Sequence, residues 1–143
     1  MMKGAISMVK LIMGLSGSGK TKQLIALVNQ ASVEESGDVV CIEKNTELMF
    51  DIPHSVRLVC TKDYSFGSIE FLKGFISGLH AGNYDITHIF IDNLEKVVEN
   101  STPEDIEKFI LWCNDFSEKE SVKFSISLSA DEKTATEAMK AFL

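Results

Sequence analysis

Residues 9–21 read Val9-Lys10-Leu11-Ile12-Met13-Gly14-Leu15-Ser16-Gly17-Ser18-Gly19-Lys20-Thr21, an apolar run followed at once by a glycine-rich turn. The apolar run predicts a β-strand. The residues from Lys20 to Ala31 predict a helix, because Leu24, Val28 and Ala31 recur at helical spacing. Glycines allow positive φ angles, so the turn can direct successive backbone N–H groups at an anion beside the helix N-terminus. The stretch therefore predicts a phosphate-binding loop.

The turn matches G-x-x-x-x-G-K-[ST] at every fixed position, with a strand before it and a helix after it. Lys20 would place its positive charge beside the β- and γ-phosphates of a nucleotide, and the Thr21 hydroxyl can ligate Mg²⁺. The predicted nucleotide-binding residues are Gly14, Leu15, Ser16, Gly17, Ser18, Gly19, Lys20 and Thr21.

Short β-rich runs alternate with helical segments along the rest of the chain, which is typical of a parallel α/β sheet. Thr102 and Pro103 have the residue types of a helix cap and a first helical position. We expect one domain spanning residues 1–143, a three-layer α/β/α sandwich around a mainly parallel sheet. Further strands are predicted at 39–42, 56–60, 88–91 and 122–128, helices at 68–79, from 102 onward and at 131–142, and a loop at 44–55.

The charge balance disfavours nucleic acid as a direct partner. The formal net charge is −7, and thirteen lysines accompany a single arginine, Arg57. Binding to DNA or RNA depends on clustered cationic residues. One arginine also excludes a multi-arginine phosphate clamp built by this chain alone.

The cysteines and the apolar segments favour a reduced, cytoplasmic protein. Cys41, Cys60 and Cys113 are isolated and odd in number, which predicts free thiols, and neither they nor the histidines have zinc-ligand spacing. No run is long enough to cross a membrane, and residues 1–10 lack the pattern of a secretory signal.

Ile89-Phe90-Ile91-Asp92 reads as a buried strand that ends in an aspartate. With the phosphate loop, this motif makes the chain resemble the P-loop NTPase superfamily over the whole predicted domain. The resemblance implies a P-loop NTPase-like fold that binds ATP and Mg²⁺. Asp92 would be the Walker B residue and hold the Mg²⁺ shell through water. The alternative for Asp92 is a helix cap or a turn cap after a core strand.

Several branches of the superfamily fit poorly. The nearest relative of a GTP-reading motif, Thr61-Lys62-Asp63, precedes the Walker B strand, and Glu95 occupies the position of the glycine in D-x-x-G. Nucleoside monophosphate kinases carry an arginine-rich lid, and compact thymidine kinases carry a cysteine-rich metal site. The chain has neither.

The remaining resemblance is to the additional-strand, catalytic-glutamate branch, and within it to RecA-like ATPases. It implies that Glu43, which ends the strand after the P-loop helix, orients the attacking water, with Glu95 as a second candidate. The alternative for either glutamate is a solvated strand end. Ser127 and Ser129 occupy the place of a γ-phosphate sensor in relatives, although small residues there also allow a helix to pack closely.

The function expected from the resemblance is binding of Mg²⁺–ATP and hydrolysis of its β–γ bond. The second hypothesis is a nucleotide-dependent switch or scaffold with little turnover, and the third is a small-molecule kinase with an acceptor pocket in residues 44–66. A protein partner or a homo-oligomer is expected, and Arg57 could then act in trans. ATP is preferred only because a GTP-reading motif is absent.

Overall fold

The alternating strands and helices of the sequence form one five-stranded parallel sheet in a computed structural model that describes residues 8–64 and 66–143. The strand order is β1-β5-β4-β2-β3, and every pairing between these strands is parallel. The strands are β1 (Val9–Gly14), β2 (Asp38–Glu43), β3 (Arg57–Cys60), β4 (Ile86–Ile91) and β5 (Lys123–Ser129). The helices are α1 (Lys20–Glu34), α2 (Ile69–Gly82), α3 (Leu94–Val97), α4 (Pro103–Glu120) and α5 (Glu137–Lys140). The predicted α/β class with a parallel sheet is confirmed.

Helices cover both faces of the sheet. On one face, Leu24, Val28 and Ala31 of α1 pack with Ile12 and Phe90 in an apolar cluster. On the other face, α2, α4 and α5 bury a larger cluster against the alternate strand residues. Since both faces are covered, most residues of the central strands are buried, as is usual for parallel sheets.

The parallel register sets which residues meet at the edge of the sheet. Gly14 lies opposite Ser129, and Ile91 lies opposite both Ile126 and Ile42. The carboxyl ends of the strands therefore gather at one edge, the usual position of ligand sites in open α/β sheets.

Two details differ from the sequence prediction. The 131–142 segment is not one helix but a 3₁₀ turn (Glu132–Thr134) followed by the four-residue α5. Asp131 and Thr136 each accept a hydrogen bond from a backbone N–H two or three residues on, which competes with a continuous helix. The short helix α3 was not predicted, while residues 44–55 form the expected loop without a helix or strand.

The start of α4 confirms the predicted cap. The Thr102 hydroxyl accepts a hydrogen bond from the Asp105 N–H at 3.1 Å, and the Asp105 carboxylate accepts one from the Thr102 N–H at 3.0 Å. Pro103 occupies the first helical turn, where no N–H is needed.

Thr102→Ala should lower the free energy of unfolding by about 1 kcal/mol, because a helix N-cap hydrogen bond is lost. Urea denaturation measures this change. Thr102→Ser retains the hydroxyl and should remain close to the wild type. Equal destabilisation by both substitutions would contradict a role for the cap.

Candidate functional site

The glycine-rich turn forms an exposed loop between β1 and α1. Gly17 and Gly19 have φ angles of 83° and 90°, which side-chain-bearing residues rarely adopt. A Cβ atom at Gly14 would collide with the Ser18 side chain. The expected positive φ angles are thus found at Gly17 and Gly19. A glycine is required at position 14 for a different reason, because the Ser18 side chain lies close against its backbone.

Lys20 lies at the first position of α1 and is only 7% exposed, although residues 15–19 before it are exposed. Thr21 follows in the first turn of α1 and is partly buried. A cleft of about 550 Å³ separates the loop from Asp131 and Lys133. The loop therefore combines an exposed backbone, a buried cation and adjacent space for a ligand, while the Ser18 N–H already donates to the Leu15 carbonyl at 3.0 Å.

Asp92 follows β4 and is 2% exposed. Its Oδ1 accepts a hydrogen bond from the Ser127 hydroxyl at 2.8 Å, and its Oδ2 accepts one from the Asn93 side-chain amide at 3.3 Å. Burial raises the pKa of Asp92, while the Ser127 hydrogen bond and the charge of Lys20 oppose that shift. Asp92 and Lys20 are thus electrostatically coupled across β5.

Asn93 has left-handed backbone angles, φ 51° and ψ 65°. Its N–H donates to the Ser127 Oγ at 2.8 Å, so the Ser127 hydroxyl accepts from Asn93 and donates to Asp92. A buried side chain with both hydrogen bonds satisfied holds its neighbours in fixed positions. Ser127 is therefore a positioning residue, a role that the sequence did not reveal.

Glu43 ends β2 and is 2% exposed. Its Oε2 accepts a hydrogen bond from the Leu48 N–H at 3.1 Å, which fixes the carboxylate against the 44–55 loop. Its Oε1 is buried and has no hydrogen-bond partner in the described part of the chain. Burial raises the pKa of Glu43 to about 7, and the negative charge of Asp92 adds to the shift.

Glu95 lies in α3, at the same edge of the sheet. One carboxylate oxygen, Oε1, accepts from the Ser129 N–H at 2.9 Å, while Oε2 is buried without a partner among the described residues. The negative charge of Glu95 also raises the pKa of Asp92. Lys20, Glu43 and Glu95 thus each interact electrostatically with Asp92.

The donor set was compared with the needs of Mg²⁺, which binds oxygen ligands and retains several waters. Asp92 supplies an oriented carboxylate, and Glu43 and Glu95 each carry a buried oxygen that has no partner among the described residues. These side chains fit a hydrated Mg²⁺ beside a phosphate. Across residues 8–64 and 66–143, no group of three His, Cys, Asp or Glu side chains could hold a metal by itself.

Two other polar residues lie away from this edge. Arg57 begins β3 opposite Val40 of β2, at the end of the strand that points away from the carboxyl edge. His88 lies near the amino end of β4, where its Nε2 is 2.9 Å from the Ser125 Oγ and its Nδ1 is 3.4 Å from Glu35. Both ring nitrogens of His88 therefore have a partner within the protein.

The three cysteines are free thiols, with Cys41 and Cys113 buried and Cys60 partly exposed. None of the helices in the described residues is both long and apolar enough to cross a membrane.

No model of a known protein family matches the chain, and no curated protein matches it at a significant level.

The unusual pKa values predict opposing effects of pH on stability. The Glu43 carboxyl, raised from 4.5 to about 7, binds its proton more tightly when folded, so its contribution to stability falls as pH rises through that range. His88, lowered from 6.5 to about 4 by burial, binds its proton less tightly when folded, so its contribution rises with pH between those values. Glu43→Gln should therefore make stability rise more steeply between about pH 5 and about pH 6.5.

Urea denaturation at several pH values, without nucleotide or Mg²⁺, measures this slope. Glu118→Gln is the matched control, because Glu118 is exposed on α4 and its charge does not contribute to the raised pKa of Glu43. A slope that stays at the wild-type value in Glu43→Gln would contradict the raised pKa.

Proposed function

We propose that this protein is a P-loop NTPase of the additional-strand branch, with a P-loop NTPase-like fold, that binds Mg²⁺–ATP and hydrolyses the β–γ bond. The observation that carries the proposal is the meeting of three features at one sheet edge. They are the glycine loop with the buried Lys20, the hydrogen-bonded Asp92, and the buried Glu43 with an unpartnered oxygen.

The strand order supports the choice of branch. The branch is named for an additional strand in its sheet. Here β5 lies between β1, which leads into the glycine loop, and β4, which leads to Asp92. The RecA-like assignment also expects a glutamate at the end of the strand that follows the P-loop helix, and β2, which follows α1, ends at Glu43.

The loop and Lys20 would bind the phosphates. Backbone N–H groups of residues 15–20 would surround the phosphate oxygens, and the Lys20 ammonium would offset the charge that develops on the β- and γ-phosphates. Because Lys20 is already buried, little side-chain freedom remains to be lost on binding.

Thr21 and Asp92 would hold Mg²⁺, Thr21 through its hydroxyl and Asp92 through water. When bound, the ion would neutralise phosphate charge in the transition state. Ser127 keeps the Asp92 carboxylate in one orientation through its 2.8 Å hydrogen bond. Asn93 in turn holds the Ser127 hydroxyl.

Glu43 is the better of the two candidate bases. A pKa of about 7 matches neutral pH, where a base accepts a proton most effectively. The Leu48 N–H fixes one oxygen and leaves Oε1 to orient a water for in-line attack. Glu95 has the same arrangement, with Oε1 on the Ser129 N–H and Oε2 without a partner among the described residues, so the preference for Glu43 rests on its raised pKa.

The proposed enzyme needs an arginine from elsewhere if one assists the transition state. Arg57 begins a strand whose other end faces the site, so it lies at the wrong edge to reach the phosphates of its own chain. A second copy or a protein partner would supply that charge. A cytoplasmic location remains a prediction.

Purified protein with Mg²⁺–ATP should release phosphate, and Glu43→Gln should retain nucleotide binding while losing at least about 100-fold in turnover, the usual contribution of a general base. Lys20→Ala should lose binding as well. Glu95→Gln is the matched control and should remain within a few-fold of the wild type. Calorimetry and phosphate release in the same samples separate binding from turnover.

Tight binding without turnover in the wild type would overturn the stand-alone hydrolase and favour the switch. Phosphate transfer to a small molecule would favour the kinase. Failure of wild-type protein to bind any nucleotide would overturn all three.

Ser127→Ala should weaken Mg²⁺-dependent nucleotide binding by about 5- to 100-fold, because Asp92 loses one hydrogen bond and the Asn93 N–H is left unpaired. Ser125→Ala is a matched control on the same strand, since its buried hydroxyl pairs with His88 instead. Titration with nucleotide in the presence and absence of Mg²⁺ provides the readout. An equal loss in both variants would indicate general destabilisation and contradict the positioning role.

A further inference from the structure

A second cavity, of about 370 Å³, opens at the carboxyl end of β2 and β3. We call it the lysine pocket, because Lys44, Lys62 and Lys96 line it together with Glu99 and the aromatic residues Tyr64 and Phe66. β2 is three strands from β1, which places the pocket roughly 14 Å from the glycine loop along the sheet edge.

The charge of the pocket is opposite to that of the protein. The chain carries a net charge of −7, whereas three lysines and one acid line this cavity. Lys44 pairs with Glu99, but neither Lys62 nor Lys96 forms an ion pair within the described part of the chain. Two cations at this open pocket therefore form no ion pair with an acid of the described residues.

The backbone holds the walls of the pocket in place. The Lys62 N–H donates to the Lys44 carbonyl at 3.0 Å, which joins the residues that follow β2 and β3. The Lys96 N–H donates to the Asn93 carbonyl at 2.8 Å. The Phe66 ring packs against the ring of Phe75 in α2, with 4.9 Å between the two ring centroids. The pocket is thus formed before any ligand arrives, which reduces the entropy cost of binding.

We propose that the lysine pocket binds a second small ligand, a phosphorylated molecule with a flat ring. Lysines act as point charges toward phosphate, and two free lysines with the Lys44–Glu99 pair match a dianion. Tyr64, 54% exposed at the rim, supplies a ring face for stacking. The volume lies within the range of small-molecule sites, while the acidic surface outside disfavours a long polyanion.

The pocket adjoins the two carboxylates of the nucleotide site. Lys44 follows Glu43 directly, and Lys96 follows Glu95. A bound anion would therefore contact residues next to both candidate bases, as an effector would. The binding proposal does not depend on hydrolysis, because it rests on the pocket alone.

Phenyl phosphate is a suitable probe, used with the full chain carrying Lys20→Ala so that the glycine loop does not compete for phosphate. Isotope-labelled protein should show amide shifts at residues 44, 62 and 96–97. Phenyl phosphate should bind more tightly than inorganic phosphate, and phenol should not bind. Shifts confined to residues 14–21, or equal binding of phenyl phosphate and inorganic phosphate, would overturn the proposal.

Charge variants provide the sharper test, since they predict changes of opposite sign. Lys62→Ala and Lys96→Ala should each weaken binding by about 2- to 5-fold, the size of an exposed charge interaction. Glu99→Gln should tighten it by about the same factor, because Lys44 is released and a negative charge is removed. Lys119→Ala, an exposed lysine of α4 outside the pocket, should leave binding unchanged.

Unchanged affinity in the two lysine variants would overturn the proposal, and so would weaker binding in Glu99→Gln. All four positions are exposed, so the variants should fold, and the remaining amide spectrum checks this. A thymidine oligonucleotide tests the macromolecular alternative. If it binds through residues 62 and 96 while phenyl phosphate does not, the pocket is instead part of a nucleic-acid surface.

Discussion

The hydrogen bond from the Ser127 hydroxyl to Asp92, 2.8 Å long, ties together the two strands on which the candidate site depends. Asp92 is buried at the end of β4, where an unpaired carboxylate would be costly. Ser127 lies on β5, which also pairs with β1 and so fixes the start of the glycine loop through the Gly14–Ser129 register. The Ser127 hydroxyl therefore links Asp92 to β5, and β5 pairs with the strand that leads into the glycine loop.

The carboxylates at this edge destabilise one another, and that repulsion is consistent with a site built for cations. Burial raises the pKa of both Asp92 and Glu43, and the charge of Asp92 raises the pKa of Glu43 further. The positive charge of Lys20 opposes the rise in the pKa of Asp92. Under the proposed function, Mg²⁺ and the phosphates arrive as a pair of opposite charges. Glu43 and Glu95 then each keep one oxygen without a partner among the described residues.

Local patterns in the sequence predicted most of the secondary structure and the glycine loop. Contacts between residues that are distant in the sequence could not be predicted from such patterns. The strand before Gly14, the helix after Lys20 and the Thr102 cap each depend on neighbouring residues. The pairing of Ser127 with Asp92 depends on strand order, which no local pattern specifies. The 131–142 segment was mispredicted because its apolar spacing is helical, while Asp131 and Thr136 bind the backbone of its turns.

The serines of β5 also explain why that strand can hold its register. Ser125 and Ser127 are 4% and 0% exposed, on the face that α1 covers, and each hydroxyl has a partner outside its own strand. A shift by one residue would turn both hydroxyls to the other face and bury Phe124 and Ile126 in their place. It would also leave His88 and Asp92 without these hydrogen bonds, and each loss of a buried partner costs about 1–3 kcal/mol. The small polar residues thus oppose slippage of the strand that positions the candidate site.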